Sequence, residues 1–401
     1  MAIEFRMLER GDYTEHQNLK SMAFGRGGIR PPLAEDAPDP VGLLNTIAIF
    51  EDGKLMSSVT MDPYRVHFGY GTQLDYGGIG GVVCANERRG RGYVQQLLIR
   101  SLAQMEERGQ TVSGLYPFAY AFYRKFGWEY VGHVQNIKLP VRELKRYIPA
   151  GWKVDEIDLE ANLDVVKPFY DSVAANYRSA FTAATHKWPD DYNAHDNRKS
   201  FIYVARDERG EIGGLMRFRY PAHGSNDLPS VGRLWSNCPA ALHSLLDVIR
   251  DIGVQHDTVN LRVPSDFPML AINCSHETKI ALEPVYQGRI VSIAQWAAGI
   301  TLPAATAEHA LSIRVHDPHC PWNDGRWTLT RTPTGVSAEK SDGALNPDIE
   351  LDITTFSQLA FGDPSRIPLQ AAGKLPLASS AVNAAIDAIF PPHAVFLWDG
   401  F

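Results

Sequence analysis

A strand, an arginine- and glycine-rich turn and a helix follow one another without interruption between residues 81 and 105. The apolar stretch at 81–84 predicts the strand, and apolar residues at helical spacing from Val94 to Met105 predict the helix. The turn between them reads Arg-Arg-Gly-Arg-Gly-Tyr-Val at 88–94. Unpaired N–H groups at a helix start bind phosphate oxygens, and the positive end of the helix dipole lies behind them. The sequence therefore predicts an anion-binding turn.

This turn is expected to hold a pyrophosphate through main-chain N–H groups and arginine charge. Gly90 and Gly92 have no Cβ, so the backbone can approach a bulky anion closely. Arg89 and Arg91 add positive charge beside it. A solvated basic turn between strand and helix is the alternative that the turn alone leaves open. The expected cofactor-binding residues lie in the strand end and the turn: Val82, Val83, Cys84, Arg89, Gly90, Arg91, Gly92, Tyr93 and Val94.

The turn resembles the coenzyme A loop of GNAT acyltransferases, in which Arg or Gln is followed by two residues, Gly, one residue, and then Gly or Ala. Arg89 and Gly92 fit this pattern, and Val94 departs from it. The departure leaves the main-chain N–H groups of the cradle in place, because only close helix packing prefers a small side chain there. The resemblance implies acetyl-CoA as co-substrate and no metal.

Residues 121–128, Ala-Phe-Tyr-Arg-Lys-Phe-Gly-Trp, resemble the second GNAT signature, where the chain leaves a helix and enters the next strand. In that superfamily the tyrosine hydroxyl lies by the sulfur of coenzyme A and protonates the departing thiolate. The resemblance therefore implies that Tyr123 is the general acid. A buried aromatic at a helix end, with its hydroxyl satisfied locally, is the structural alternative.

Length and composition fit a cytoplasmic enzyme of several domains. A chain of 401 residues is too long for one core of ordinary size. No apolar segment reaches membrane-spanning length, and the N-terminus lacks the pattern of a signal peptide. The four cysteines are far apart and are expected to be reduced. The net charge of −7 disfavours a nucleic-acid surface and suits a cationic amine.

A mixed α/β and α+β organisation is expected, with domains at 1–150, 151–287 and 288–401. Residues 46–50 and 54–61 predict a hairpin before the cofactor strand, and residues 201–206 and 211–219 predict a similar one in the next segment. We therefore expect a second, degenerate copy of the GNAT fold. Its turn at 236–242 has neither the arginines nor the glycines, so one cofactor site per chain is expected. From about Tyr286 short strands and helices form a third unit, in which the tract at 350–359, Glu-Leu-Asp-Ile-Thr-Thr-Phe-Ser-Gln-Leu, resembles the sterol-carrier fold.

This order of domains resembles the Eis (enhanced intracellular survival) family of N-acetyltransferases over the whole chain. The resemblance implies a homo-oligomer, a hexamer in that family. It also implies that the carboxylate of the terminal aromatic residue, Phe401, deprotonates the amine. An α-carboxylate is a weak base with a pKa of about 3.5, and desolvation among aromatic rings raises that pKa. A frayed chain end is the alternative, against which the aromatic ending at 396–401 argues.

The acceptor amine is not named by the sequence. Residues expected to line its pocket are mostly aromatic, which puts aminoglycoside acetylation in doubt: Phe24, Tyr116, Phe118, Asp399 and Gly400. A loop at 25–41 holds Glu35, Asp36 and Asp39 as a further source of negative charge, or forms only a solvated flap.

The mechanism expected is direct transfer in a ternary complex, with strand N–H groups near Val82 and Cys84 meeting the oxyanion. A covalent route through Cys84 is the mechanistic rival. The residues His-Asp-Pro-His-Cys at 316–320 are of ligand type, but Pro318 breaks helical spacing and a loop is expected there instead of a zinc site. The functional rival is a lipid-binding or effector protein with a vestigial acetyltransferase domain.

Overall fold

The computed structural model describes residues 2–25, 32–34, 36–38, 40–147, 149–186, 188, 200–221, 227–252, 256–273, 275–305, 307–341, 346–397 and 400. Within these residues the chain builds three sheets with helices packed against them, which confirms the mixed α/β class. Every helix in this part of the chain is too short or too polar to span a bilayer.

The first part of the chain contains the expected strand, turn and helix of the cofactor motif. The hairpin predicted before them is confirmed, with Asp52 and Gly53 at positive φ in its turn. The helix after the glycine turn buries Leu97, Leu98 and Leu102 completely against the sheet. The elements are β1 Ile3–Met7, α1 Tyr13–Ala23, α2 Val41–Leu44, β2 Thr46–Glu51, β3 Lys54–Phe68, β4 Gln73–Cys84, α3 Tyr93–Glu107, β5 Val112–Leu115, α4 Tyr120–Arg124, β6 Glu129–Tyr130 and β7 His133–Pro140.

The middle part contains the second predicted hairpin and the later helix with its apolar stripe. Leu242, Leu245, Leu246 and Ile249 face the core from this helix. The elements are β8 Lys153–Glu156, α5 Leu163–Ala174, β9 Arg178–Phe181, β10 Ser200–Arg206, β11 Ile212–Arg219, β12 Ser230–Ser236, α6 Pro239–Ile252, β13 Thr258–Pro264, α7 Met269–Ile272 and β14 Lys279–Pro284.

The last part forms a small sheet in the order β18-β17-β16-β19, covered by helices. Aromatic rings fill its core: Trp296 stacks on Phe390 at 5.4 Å between centroids, and Phe356 meets both edge-on. The elements are β15 Gln287–Ile290, α8 Ile293–Gly299, β16 His309–His316, β17 Gly325–Arg331, β18 Val336–Ser341, β19 Ile349–Asp352, α9 Ile353–Phe361, α10 Arg366–Ala371 and α11 Ser380–Ile389.

The first two sheets have the same strand order, which confirms the second copy of the fold. The first sheet runs β1-β2-β3-β4-β5-β15-β6, and the second runs β8-β10-β11-β12-β13-β7-β14. Both copies also carry a bulge at the same place. On β4 the register shifts by one residue at Gly81, with φ of 53°, and on β12 it shifts at Arg233, with φ of 55°. In the second copy, β12 therefore has the bulge of β4 without the glycine turn that follows β4.

The two copies exchange one strand. The strand predicted at 135–139 exists as β7, but it pairs with β13 and β14 in the second sheet. Its place in the first sheet is taken by β15, which pairs with β5 and β6. The expected boundaries near 150 and 287 stay predictions, and strands cross between the copies on both sides of that segment.

Candidate functional site

The first sheet opens beside the cofactor strand. β4 is paired with β5 only from Tyr76 to Ile79, because β5 ends at Leu115 while β4 continues to Cys84. The bulge at Gly81 lies within this unpaired stretch. Backbone groups of residues 80–84 on this side of β4 therefore have no strand ladder beside them. They are available to a ligand that enters between the two strands.

The glycine turn that follows has the geometry of an anion cradle. Gly90 and Gly92 have φ of 79° and 78°, and Gly92 is the N-cap of α3 without a side-chain cap. In the described part of the chain, the amides of residues 90 and 92–95 have no hydrogen-bond acceptor. The positive end of the α3 dipole adds to these free donors. This end of the helix can bind an anion.

Arg88 and Arg89 differ in what they can offer to that anion. Arg88 donates to the carboxylate of Glu51, which is 3 % exposed, and the hydrogen bond to Glu51 raises the pKa of Arg88. Tyr93 also donates to Glu51, at 3.5 Å. Arg89 is exposed and has no ion-pair partner among the described residues. Of these two arginines, Arg89 is therefore the one whose charge is available to a bound phosphate.

A cavity of about 610 Å³ joins the strand opening to the glycine turn. Two exposed rings stand at it: Phe24 is 53 % exposed and Phe118 is 73 % exposed. A pair of exposed large rings beside a polar cradle is typical of a binding site for a ligand that is polar at one end and apolar at the other. The lining residues are Ala23, Phe24, Val82, Val83, Cys84, Arg88, Arg89, Gly90, Gly92, Tyr93, Val94, Gln95, Phe118 and Phe122.

Tyr123 lies in α4, directly against two of the rings that line this cavity. Its ring meets Phe118 and Phe122 edge-on, with centroids 5.3 Å and 5.1 Å away. The side chain is 3 % exposed, and its hydroxyl has no hydrogen-bond partner in the described part of the chain. Burial raises the pKa of this hydroxyl. Tyr123 is therefore protonated at neutral pH and has a proton to give.

The turn after Tyr123 is fixed by a hydrogen bond from Arg289 on β15. Arg289 on β15 donates from Nη1 to the Phe126 carbonyl at 2.7 Å. Its Nη2 donates to Asp317 at 2.6 Å and to the Cys320 sulfur at 2.9 Å. A Cβ on Gly127, whose φ is 90°, would lie 1.3 Å from Arg289 Nη1. Only glycine therefore fits at this position of the signature.

This contact gives the sequence run at 316–320 a structural role. Asp317 and Cys320 are buried with Arg289, and burial raises the pKa of the Cys320 thiol to about 12. Among the described residues, no group of three or more His, Cys, Asp or Glu side chains is arranged to hold a metal ion.

Cys84 lines the cavity, but its surroundings do not activate its thiol as a nucleophile. Burial raises its pKa, and the hydrogen bond with Ser57 only partly opposes this. A nucleophilic cysteine needs a lowered pKa or an adjacent base. The raised pKa of the Cys84 thiol therefore disfavours the covalent route.

The structure brings together most of the residues predicted for the site, and others lie apart from the cavity. Arg91 is exposed beside it. Tyr116 packs on Tyr286 at 6.4 Å between ring centroids, and Gly400 is exposed. Phe401, Asp399, Glu35 and Asp39 lie outside the described residues.

Sequence reasoning missed Ala23, Arg88, Gln95 and Phe122. Phe122 stands inside the second signature and could have been found there. The pairing of Arg88 with Glu51 depends on tertiary structure and leaves no local signal.

Comparisons with known proteins agree with this geometry. Residues 4–131 match the model of the acetyltransferase (GNAT) domain, and residues 295–398 match that of the sterol carrier protein domain. An uncharacterized N-acetyltransferase of Streptomyces avermitilis is 23 % identical, over 100 % of both chains.

Two solved structures share the fold of the whole chain. A GCN5-related N-acetyltransferase from Anabaena variabilis has a TM-score of 0.84 at 19 % identity, covering 100 % of both chains. Eis1 from Mycobacterium abscessus has a TM-score of 0.79 at 18 % identity, also covering 100 % of both chains. The resemblance to the Eis family indicated by the sequence motifs is thereby confirmed at the level of the fold.

Proposed function

Because this chain is a GNAT-type N-acetyltransferase with a sterol-carrier-protein domain, we propose that it transfers an acetyl group from acetyl-CoA to an amine in a ternary complex. One observation carries the proposal. The free amides at the start of α3 and the unpaired end of β4 meet at a single cavity, and the Tyr123 ring packs on Phe118 and Phe122, which line it. The amides would bind the pyrophosphate, the end of β4 would bind the thioester carbonyl, and Tyr123 would protonate the thiolate.

The cofactor would be held mainly by main-chain groups. The amides of residues 90 and 92–95 and the exposed side chain of Arg89 would bind the pyrophosphate. The thioester would lie in the opening between β4 and β5, where main-chain amides of residues 82–84 on the unpaired side of β4 would be the donors for an oxyanion.

The chemical step needs one base and one acid. The amine nitrogen would attack the thioester carbonyl carbon, and collapse of the tetrahedral intermediate would break the carbon–sulfur bond. Tyr123, whose pKa burial raises, would give its proton to the departing thiolate. The proton of the amine would pass to the carboxylate of Phe401, directly or through a water molecule.

Burial near the chain end supports the role of Phe401. Val395, Phe396 and Leu397 are each no more than 3 % exposed. Val395 forms a parallel bridge with Arg178, and Phe396 N–H donates to the Arg178 carbonyl at 3.0 Å. The segment that leads to the terminus is therefore part of the core, in contrast to a frayed tail.

Lengthening the chain tests the terminal base. Adding three residues after Phe401 would move the carboxylate away, and the same addition before Met1 is the control. We expect turnover to fall at least about a hundredfold in the first protein only, because displacement of a positioned base is costly. Equal turnover of the two extended proteins, both folded and both binding acetyl-CoA, would contradict the role of Phe401. Asp36 would then be the described carboxylate to test first.

The acceptor is an amine of unassigned class, and the described lining favours an apolar or aromatic neighbour for its nitrogen. Phe24, Phe118 and Phe122 line the cavity, and no carboxylate does so among the described residues. A panel that contains arylalkylamines, polyamines, aminoglycosides and a lysine peptide, incubated with acetyl-CoA and followed by mass spectrometry, tests the function. Failure to acetylate any class, in a protein that binds acetyl-CoA, would contradict amine transfer.

The aromatic packing of Trp296, Phe356 and Phe390 inside the C-terminal domain gives no support to a lipid carrier as the alternative. The expected homo-oligomer, a hexamer by the family resemblance, and the cytoplasmic location stay predictions.

A further inference from the structure

Arg178 is a buried arginine at the point where all three parts of the chain meet. It is 1 % exposed and begins β9, which pairs with β3 of the first sheet and follows α5 of the second copy. The C-terminal segment 394–397 pairs with the backbone of Arg178. Burial lowers the pKa of Arg178 to about 10, so the side chain is still charged at neutral pH.

Both the backbone and the side chain of Arg178 hold that junction together. The Arg178 N–H donates to the Ala394 carbonyl at 3.0 Å, and its carbonyl accepts from Phe396 N–H at 3.0 Å. The guanidinium donates from Nη1 to the Ala360 carbonyl at 2.8 Å and from Nε to the Phe68 carbonyl at 3.3 Å. One residue therefore fixes the last described segment against both β3 and α9.

Burying Arg178 and Ser179 in these conformations costs more free energy of folding than packing this junction with apolar residues would. Arg178 Nη2 is buried without a hydrogen-bond partner among the described residues, and no carboxylate there pairs with the guanidinium. The next residue, Ser179, is fully buried with φ of 79°, which side chains other than glycine rarely adopt. Strained and desolvated groups of this kind cluster at functional sites. An apolar residue would fill the same space with less desolvation.

A chain of contacts leads from this junction to the active site. Ser179 accepts a hydrogen bond from the Tyr286 hydroxyl, and the Tyr286 ring packs on Tyr116. Tyr116 directly follows the end of β5, where the first sheet opens. Two aromatic rings therefore connect Ser179, the neighbour of Arg178, to the end of β5.

We propose that Arg178 is a positioning residue for acetyl transfer, which holds segment 394–397 in register so that the chain terminus reaches the reacting amine. The proposal rests on the proposed function, in which the terminal carboxylate is the base. Arg178 touches neither substrate nor cofactor in this scheme. Its effect on turnover is expected to pass entirely through the chain end.

A double-mutant cycle tests this. Arg178→Lys keeps the charge but replaces two separate donor nitrogens, Nε and Nη1, with one ammonium nitrogen that cannot occupy both positions. It is measured with and without three residues added after Phe401. Alone, it should lower kcat at least about tenfold, with the KM for acetyl-CoA within about twofold of the parent. In the extended protein, where the base is already displaced, the same substitution should change kcat less than about twofold.

Arg331→Lys is the matched control. Arg331 is also a buried arginine that donates only to carbonyls, those of Thr332, Gly335 and Pro303. It lies in the sheet of the C-terminal domain, so its substitution should lower thermal stability without lowering kcat in the folded protein.

A second variant keeps the proposal testable if Arg178→Lys does not fold. A Cβ on Gly132 would lie 2.6 Å from Val395 Cβ and 3.0 Å from the Val395 carbonyl. Gly132→Ala therefore pushes the same segment while Arg178 stays in place, and it also strains the backbone of residue 132, where φ is 69°. It should give the same fall in kcat with acetyl-CoA binding retained.

The outcomes separate the two proposals. If extension after Phe401 lowers turnover but both Arg178→Lys and Gly132→Ala have normal kcat, the terminal base stands and the role of Arg178 is refuted. An equal fall in kcat in the extended and unextended proteins would show that Arg178 acts on stability or on another group, and would also refute it. If extension itself has no effect, the terminal base fails, and Arg178 has no base to position.

Discussion

Gly92→Asp is the substitution that most sharply separates binding from folding at the cofactor turn. Gly92 has φ of 78°, and no atom lies within 4 Å of the place where a Cβ would be built. The backbone penalty for a side chain in this left-handed conformation is about 1–2 kcal/mol. Gly210, in the hairpin of the second copy, has φ of 84° and the same free space. Gly210→Asp is therefore a control with a matched backbone cost and no role at the cradle.

The loss of affinity follows from charge. An aspartate at the helix start would place its carboxylate on the order of 5 Å from a bound phosphate, and two unit charges at that separation repel by about 3 kcal/mol at an effective dielectric constant of about 20. The added Cβ also blocks close approach to the amides at 92–95. Together these terms predict a fall in acetyl-CoA affinity of at least about a hundredfold. Gly92→Ala, which lacks the charge, should lose about tenfold or less.

Isothermal titration calorimetry with acetyl-CoA, after circular dichroism and thermal unfolding of each protein, measures this. We expect Gly92→Asp and Gly210→Asp to lose similar stability, and only Gly92→Asp to lose binding. An acetyl-CoA affinity within about threefold of the parent in folded Gly92→Asp would refute the cradle, because a difference that small is less than about 0.7 kcal/mol.

Three further predictions concern Tyr123, the proposed acid, and its surroundings. Tyr123→Phe should lower kcat by about a hundredfold or more with little change in acetyl-CoA affinity, and a near-normal rate would assign the proton to water. Since burial raises the pKa of Tyr123, the pH–rate profile of the parent should show no alkaline fall below about pH 10, whereas a fall near pH 8 would contradict this acid. Burial raises the pKa of Glu129, but hydrogen bonds from Arg124, Tyr130 N–H and Lys374 outweigh it, so the net pKa is lowered. The ionised Glu129 side chain therefore stabilises the fold fully above its unfolded pKa of about 4.3, and this stabilisation is lost as the pH falls through its folded pKa. Glu129→Gln should therefore lower the free energy of unfolding at pH 7 and much less at pH 3. Denaturant midpoints at the two pH values would measure this.

Local patterns in the sequence predicted the elements that depend on local chemistry. The hairpin at 46–61 follows from alternation around a turn with Asp52 and Gly53, and α3 follows from apolar spacing behind the glycines. The duplicated fold could be predicted because both hairpins recur at the same stage of each copy. The glycine turn could be predicted because its residues are next to one another in the chain, and its role in anion binding stays a prediction.

Features that depend on distant pairing could not be predicted. No local pattern in β7 or β15 indicates that each joins the sheet of the other copy. Arg289 meets Asp317 and the Phe126 carbonyl only because β15 returns to the first sheet. The tie between Arg178 and the C-terminal segment joins residues far apart in sequence, and single-sequence patterns carry no information about such contacts.

Initial-rate kinetics with an accepted amine and acetyl-CoA test the central claim most directly. Direct transfer in a ternary complex predicts intersecting double-reciprocal lines, with coenzyme A released only when the amine is present. Parallel lines, release of coenzyme A without amine, and an acetyl group on Cys84 detected by mass spectrometry would contradict the account.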